Sequence, residues 1–437
     1  MSVREQALGS WPQSRMRTAF ETLKAGGSKG KVFTGGVVML AGSVLVSLAN
    51  FGYNIGVARL LGPGDFSQTA AAVTLLMLAS CINLAGQLVT AKLIAKTAVP
   101  AQRAAVYQLL MRRAWLVGFG LSALFVGASR WIAVYLRMPS PILVVLLGLG
   151  MLFYIPLGVR RGGMQGTCQF LRLSLNLAAE AFVKLIAAMI LVASGAGVLG
   201  AVVAISFSVF AAFLLPAGDR ELRRTPALYQ PGSFLESIQA ITFFVGQVII
   251  SNIDILMVKH YFAPDEAGIY AAVALVGRVL YFATWSVTSA MFPISAGSAA
   301  ESDSRGVLVV PLLFVAGLSS VFVVFLASFP GLVIRTLFGS DFHRADTGVE
   351  QLLAMNAVAT AVYAVCVVLI TYEMSRRIAN TGWLQLVVSL LIVVCIGFFH
   401  ASLMQVIVVQ QVLRGLLLMA VSIPFFRRVP NLGREAA

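Results

Sequence analysis

The stretch Leu60-Leu61-Gly62-Pro63-Gly64-Asp65-Phe66, LLGPGDF, runs directly into SQTAAAV, and 201 residues later the chain reads YFAPDEAGIYAAV from Tyr261 to Val273. Aligning 57–72 with 258–273 makes Val57/Val258, Pro63/Pro264, Ala70/Ala271 and Ala71/Ala272 identical, and Asp65/Glu266, Leu61/Phe262 and Gly62/Ala263 similar. Each copy ends one long apolar run and opens another. A repeated phrase of this kind predicts two related halves, with two similar proline turns arising by chance as the alternative.

Working outward, the runs on either side are those of a membrane protein. Apolar residues make up 59% of the 437 residues and charged residues only 11%, where soluble domains carry about 25% charged. The uncharged stretches reach the roughly 20 residues that a helix needs to cross a bilayer. They are continuous rather than alternating, which excludes a β-barrel. No cleavable signal peptide is evident, since the first residues are basic and lack an apolar core. Within them Met16, Phe20 and Leu23 share one face, as in a surface-lying amphipathic helix or simply a disordered basic tail. Cys81, Cys168, Cys366 and Cys395 are scattered packing residues, and His260, His343 and His400 suggest no metal site.

Apolar runs between charges and Pro or Gly breaks predict twelve spans, at 33–58, 66–91, 114–136, 141–159, 173–194, 197–217, 237–258, 267–297, 307–333, 350–372, 380–399 and 402–426. The fold class is an all-α polytopic membrane protein of two six-helix lobes. The divisions are a basic tail (1–32), an N-lobe (33–217), a linker (218–236), a C-lobe (237–426) and a short C-terminal tail (427–437). Lys and Arg concentrate in the tail, around 92–113, at Arg160, Arg161 and Arg172, in the linker, at Arg376 and Arg377, and at the C-terminus. The other side holds only five, Arg59, Arg137, Lys259, Arg335 and Arg344. The positive-inside rule then predicts both termini in the cytoplasm. The net charge of +15 is thereby a matter of topology, and nucleic acid is not the expected partner.

Six helices separate the two phrases, so both loops face the same side and the halves run parallel, related by an axis along the membrane normal. Polar stripes support the repeat. Ser43, Ser47, Asn50 and Asn54 recur at helical spacing in the first span, and Gln247, Ser251 and Asp254 in the seventh, with Asn50 and Ser251 again 201 apart. Such stripes face protein or a water-filled cavity, with interhelical hydrogen bonding as the plainer reading.

The phrases ARLLGPGDF, NIDILMVKHYFAPDEAGIYAAVALVGRVLYF and MFPISAGSAAE resemble the polysaccharide flippases (Wzx-type) of the multidrug/oligosaccharidyl-lipid/polysaccharide exporter superfamily. The resemblance implies a V-shaped pair of lobes opening alternately to each side. It implies as cargo an oligosaccharide repeat unit on an undecaprenyl-pyrophosphate-type lipid, used for exopolysaccharide, O-antigen or capsule synthesis. A bacterial inner-membrane location, a polysaccharide polymerase and a chain-length regulator follow from the same likeness.

Ionisable residues at mid-membrane are costly, about 2.5–3.5 kcal/mol each on insertion scales. Arg278 and Arg414 fall roughly 16 and 18 Å from the outer ends of their spans, and Lys184 roughly 16 Å from the cytoplasmic end of its own. Arginine grips pyrophosphate in bidentate fashion, so Arg278, Arg414 and Lys184 are candidate cargo contacts. Tyr281 and Trp285 on the Arg278 face offer sugar-stacking surface, and Gln410 lies one turn from Arg414; Asn50, Asn54, Gln247 and Ser251 complete the candidate binding set. Glu180, four residues before Lys184, is expected to neutralise it or to couple transport to an ion. Asp254 is a second coupling candidate, or a partner for Lys259. Arg130 is expected to reach the headgroups.

No P-loop is present, so no ATP hydrolysis by that route and no cofactor are expected. The alternatives are a cation-coupled multidrug antiporter of the same superfamily, disfavoured by four intramembrane bases against two acids, and a membrane glycan polymerase or ligase. The latter needs a catalytic outer loop. The largest one, IRTLFGSDFHRADTGV (334–349), contains Asp341, His343, Arg344 and Asp346 but reads as an exposed polar loop.

Overall fold

A computed structural model describes residues 27–97, 99–216, 222, 235–297, 301–343, 348–376 and 382–427. The basic tail with Met16, Phe20 and Leu23, nearly all of the linker, and the last ten residues lie outside them. The described chain is helical throughout: α1 (Gly27–Lys96), α2 (Pro100–Gly127), α3 (Ser129–Tyr135), α4 (Ile142–Gly166), α5 (Phe170–Leu191), α6 (Gly197–Leu214), α7 (Leu235–Tyr261), α8 (Pro264–Gly297), α9 (Glu301–Ser328), α10 (Pro330–Phe338), α11 (Val349–Arg376), α12 (Gly382–Phe398) and α13 (Leu403–Arg427).

The apolar part of α1, Val38–Lys96, is 59 residues long, about 88 Å of helix and twice what a bilayer accommodates. It is two spans. Gly62, at φ 75 and ψ 174, adopts a backbone geometry closed to other residues, and Pro63 then starts a second arm where a missing N–H costs nothing. The Phe170–Leu214 run is divided in the same way, by Gly195 at φ 91 and Gly197 at φ 55 around a π-turn. With these divisions the eight long apolar runs become ten spans, and α7 and the shorter α12 bring the membrane-crossing helices to twelve among the described residues.

The two halves repeat one packing scheme. In the first, Gly42, Gly52 and Gly56 of α1 lie against Ser174, Leu185 and Met189 of α5, and Gly158, Gly162 and Gly166 of α4 lie against Asn83, Gln87 and Ala91 of the second arm of α1. In the second, Gly246 of α7 meets Gln385 and Leu386 of α12, and Gly277 of α8 meets Asn356 and Thr360 of α11. First helix on fifth and second on fourth thus recur, with small residues allowing backbones to approach in the absence of a hydrophobic drive between helices. Side chains such as Leu116, Trp131 and Phe398 are more than 70% exposed, as expected of surfaces that face lipid.

The halves join at the end that carries the repeated loops. The largest core cluster draws Tyr53, Val57 and Phe66 together with Leu256, Val258, Tyr270 and Phe338. A Cβ on Gly268 would lie 1.8 Å from the Pro63 carbonyl oxygen, and one on Gly64 would lie 2.8 Å from Asp265 Oδ1, so the two phrases pack on each other. Arg59 donates to the carbonyls of Thr336 and Leu337, Lys259 Nζ to Ser67 Oγ at 2.7 Å, and the His260 Nδ1–H to the Tyr135 carbonyl at 2.6 Å. The His260 and Tyr135 rings stack 3.9 Å apart.

Several expectations are corrected. The third span is not 114–136 but Pro100–Gly127, followed by the short α3. Its 28 residues, about 42 Å of helix, exceed the hydrocarbon thickness by about 12 Å. The first two turns therefore carry Arg103 beyond it, and Arg112 and Arg113 follow about 8 Å further in, within the reach of a snorkelling arginine. Arg160 and Arg161 are not loop charges: both are buried within α4. The ninth span ends at Ser328 because Pro330 opens a separate helix, α10. Arg130 is exposed on α3, in keeping with a reach to the headgroups.

Candidate functional site

The second half gathers most of the predicted residues around one point. Helix α8 presents Tyr270, Ala274, Arg278 and Tyr281 along one face, at the spacing of successive turns. Helix α7 brings Gln247, Ser251 and Asp254, α13 brings Gln410 and Arg414, and α11 brings Asn356, Thr360 and Tyr363. Ser251, Asp254, Arg278, Tyr281, Tyr363 and Arg414 line a small cavity of about 30 Å³, room for one or two waters.

A continuous chain of hydrogen bonds links its opposite charges. The Tyr270 hydroxyl donates to Asp254 Oδ2 at 2.7 Å and accepts from Gln410 Nε2 at 2.6 Å. Gln410 Oε1 accepts from Arg414 Nη2 at 2.9 Å, and the same nitrogen donates to the Ile250 carbonyl at 3.2 Å. The Arg414 guanidinium lies 5.5 Å from the Tyr363 ring centroid. Above it Gln247 donates to the Tyr281 hydroxyl at 2.7 Å, Gln385 donates to the Tyr363 hydroxyl and to Gln247 Oε1, and the Tyr281 and Tyr363 rings lie parallel with centroids 6.4 Å apart.

Arg278 is held differently. Its Nη1 reaches only Met77 Sδ, at 3.7 Å, across the junction between halves. Its Nε and Nη2, together with Arg414 Nε and Asp254 Oδ1, are buried without a hydrogen-bond partner. Unsatisfied buried donors on a charged group cost several kcal/mol in an apolar interior, on the order of the penalty for an unpaired ion. Asp254 was expected near Lys259 as one option; instead it belongs to this cluster, while Lys259 binds Ser67 across the junction. Trp285 packs against the main core and does not line the cavity.

The first half holds a second polar cluster. Lys184 Nζ donates to Asn50 Oδ1 and lies 5.2 Å from the Tyr53 ring centroid, and Asn54 donates to the Asn50 carbonyl at 2.8 Å. Glu180 was expected to neutralise Lys184. Its hydrogen-bonded ion pair is instead with Arg161, whose Nε also donates to Asn176 Oδ1 at 2.9 Å. Arg161 on α4 and Glu180 on α5 are brought together by packing, and the planar guanidinium satisfies carboxylate and amide at once.

Tyr270, Tyr363, Gln385, Asn356, Thr360 and Arg161 were not among the expected site residues. A signal existed for some: Asn356, Thr360 and Tyr363 recur at four and three, the same stripe that singled out the first and seventh spans. The 334–349 loop, expected on the outer side, forms no catalytic centre among the described residues. His343 lies 3.1 Å from Glu350 Oε1 and 3.3 Å from Arg335 at the surface, and Arg344 and Asp346 lie outside them. No group of potential metal ligands occurs among the described residues.

Residues 57–346 match the family described as "Polysaccharide biosynthesis protein". Among solved structures, the inward-facing conformation of a multidrug resistance MATE transporter of the MOP superfamily superposes with a TM-score of 0.77 at 12% identity, over 92% of this chain and 100% of that one. The lipid II flippase MurJ in an inward closed conformation superposes with a TM-score of 0.70 at 11% identity, over 89% and 87%. A MOP superfamily transporter from Pyrococcus furiosus, described as having a binding pocket of reverse polarity, gives 0.60 at 13% identity, over 93% and 97%. No curated protein matches the sequence. The chain is a multi-pass membrane protein with the fold of these transporters, and it belongs to the polysaccharide biosynthesis protein family.

Proposed function

We propose that this protein translocates an oligosaccharide repeat unit, carried on an undecaprenyl-pyrophosphate-type lipid, across a bacterial inner membrane by alternating access, and catalyses no covalent step. The observation that carries this reading is the pair of arginines, half-buried Arg278 and buried Arg414, opening on one cavity with three guanidinium nitrogens unpaired. One carboxylate, Asp254, faces two guanidinium groups there, so an incoming anion gains both charge and donors. Pyrophosphate supplies several acceptor oxygens in the geometry that arginine prefers.

A cavity of about 30 Å³ admits no such headgroup, so loading requires the halves to separate. The N-lobe (33–217) and C-lobe (237–426) move as bodies about the 218–236 linker. The distribution of basic residues supports an outer position for the repeated loops, and on that reading the contacts between those loops make this a state closed to the outside. Lys184 and Asn50 contribute from the N-lobe when the cavity widens, with Tyr281 and Trp285 offering rings to sugars. Membership of a polysaccharide biosynthesis family supports the cargo class, and a polymerase and a chain-length regulator are the partners that would consume it.

The test is transfer of a fluorescent polyprenyl-pyrophosphate oligosaccharide across proteoliposomes by wild type, Arg278→Ala and Arg414→Ala. Loss of transfer in both folded variants supports the reading; unchanged transfer removes the arginines from it. A cation-coupled antiporter is the second reading, favoured by one feature: Asp254 is buried in this same cavity with Oδ1 unpaired. Asp254→Asn separates the two, since it abolishes drug/cation exchange in an antiporter but leaves downhill transfer of the lipid-linked cargo.

A further inference from the structure

Between the second arm of α1, α2 and α4 lies a groove of about 280 Å³, walled by Ile82, Val89, Leu110, Val117, Ile155 and Val159. It is far from the arginine cavity: Gly86 in the groove and Met77 beside Arg278 are nine residues apart on one helix, which turns them to opposite faces. The hollow results from small side chains. A Cβ added to Gly86 would meet nothing within 4 Å, whereas Gly158 and Gly162, on the α4 face that packs the same arm, are in tight contact. Gly86, Ala85 and Ala114 therefore leave space where neighbouring positions leave none.

The groove has a single charged lining residue, Arg113. It is exposed, as is its neighbour Arg112, and Arg113 makes no hydrogen bond or ion pair among the described residues. Side chains tilt toward a helix N-terminus, which for α2 is Pro100, next to Lys96. Arg113 thus leans toward the basic end of the bundle, where the headgroups of one leaflet lie. From Ile82 to Thr90 the groove follows the arm for about 12 Å, the direction a lipid chain takes below its headgroup.

We propose that this groove binds one anionic glycerophospholipid, with an acyl chain between α1 and α2 and its phosphate on Arg113. The apolar walls supply burial and the guanidinium supplies headgroup selectivity; a polybasic surface contributes about 1 kcal/mol per cationic side chain toward anionic lipid. The bound chain fills a gap between two helices of the first half and braces the arm that carries Met77 at the junction.

The test is native mass spectrometry of the full-length protein in detergent with phosphatidylglycerol, phosphatidylcholine or a polyprenyl phosphate. One retained phosphatidylglycerol is expected on wild type, held more tightly than phosphatidylcholine. Arg113→Gln should weaken phosphatidylglycerol about fivefold, and Gly86→Phe, which fills the hollow, should remove both phospholipids. Arg113→Gln is a surface change, so it remains informative if Gly86→Phe does not fold. Equal retention of phosphatidylglycerol by wild type and folded Gly86→Phe overturns the proposal, as does equal retention of the two phospholipids by wild type. Preferred, Gly86-dependent retention of the polyprenyl phosphate overturns it too, by making the groove a site for the carrier.

Discussion

Arg278 Nη1 approaches Met77 Sδ to 3.7 Å, and the two residues, 201 positions apart, occupy equivalent places in the two halves. Gly64 and Asp265, also 201 apart, meet at the loop end. Residues related by a two-fold touch only near the axis. These two pairs, 13 residues apart on paired helices, therefore trace that axis over about 20 Å. The second arm of α1 and α8 run alongside it, and the cationic site sits on one side only, because the first half places methionine where the second places arginine.

Met77→Arg should drive the halves apart. Two like charges about 4 Å apart repel by roughly 4 kcal/mol at an effective dielectric of 20, which exceeds what the sulfur contact contributes. Electron–electron distance measurements between spin labels on the two repeated loops, in a background without the native cysteines, should shift to longer separations. The exchanged variant Met77→Arg/Arg278→Met should restore the short distance.

Gly268→Ala should have a similar effect for a steric reason. Its Cβ would lie 1.8 Å from the Pro63 carbonyl oxygen, and the obstructing atom is backbone, with no side chain to swing away. The same label pair should report opening, and a thiol at Ser67 should become accessible to alkylation.

Arg59→Ala should weaken the closed state by about 1–2 kcal/mol. Arg59 Nε donates to the Leu337 carbonyl at 2.7 Å and Nη2 to that of Thr336, at the C-terminus of α10, where orphan carbonyls and the helix dipole favour a cation. A charged hydrogen bond at an exposed site contributes less than the 1.5–3 kcal/mol of a sheltered one. Faster proteolysis or thiol labelling at Leu337 substituted by cysteine, a half-buried helical position beside Arg59, would register the loss; unchanged labelling would assign Arg59 no role in closure.

Arg161→Met or Glu180→Leu alone should cost about 3–5 kcal/mol, because each leaves a buried charge unpaired. The double variant should recover most of the thermal stability in detergent. Transfer by that stable double variant then separates roles: retained activity makes the pair structural, and lost activity makes Glu180 part of the coupling.

The amino-acid sequence by itself determined the membrane class, the approximate twelve spans, the parallel repeat and the face that joins Arg278 to Tyr281. These are one-dimensional properties: run length, the break at Gly62 and Pro63, periodicity at helical spacing, and a 201-residue interval. It did not show that α2 begins at Pro100, since the arginines spread over its first four turns imitate a loop until the helix is seen to outrun the bilayer. Nor did it show which buried charges pair. Glu180 lies four residues from Lys184, yet the tertiary structure gives it to Arg161 on another helix, because the glycine contacts fix which faces meet. Asp254 likewise joined Tyr270 and the arginines rather than Lys259. Spacing decides which side chains share a face, and only packing between helices decides what that face touches.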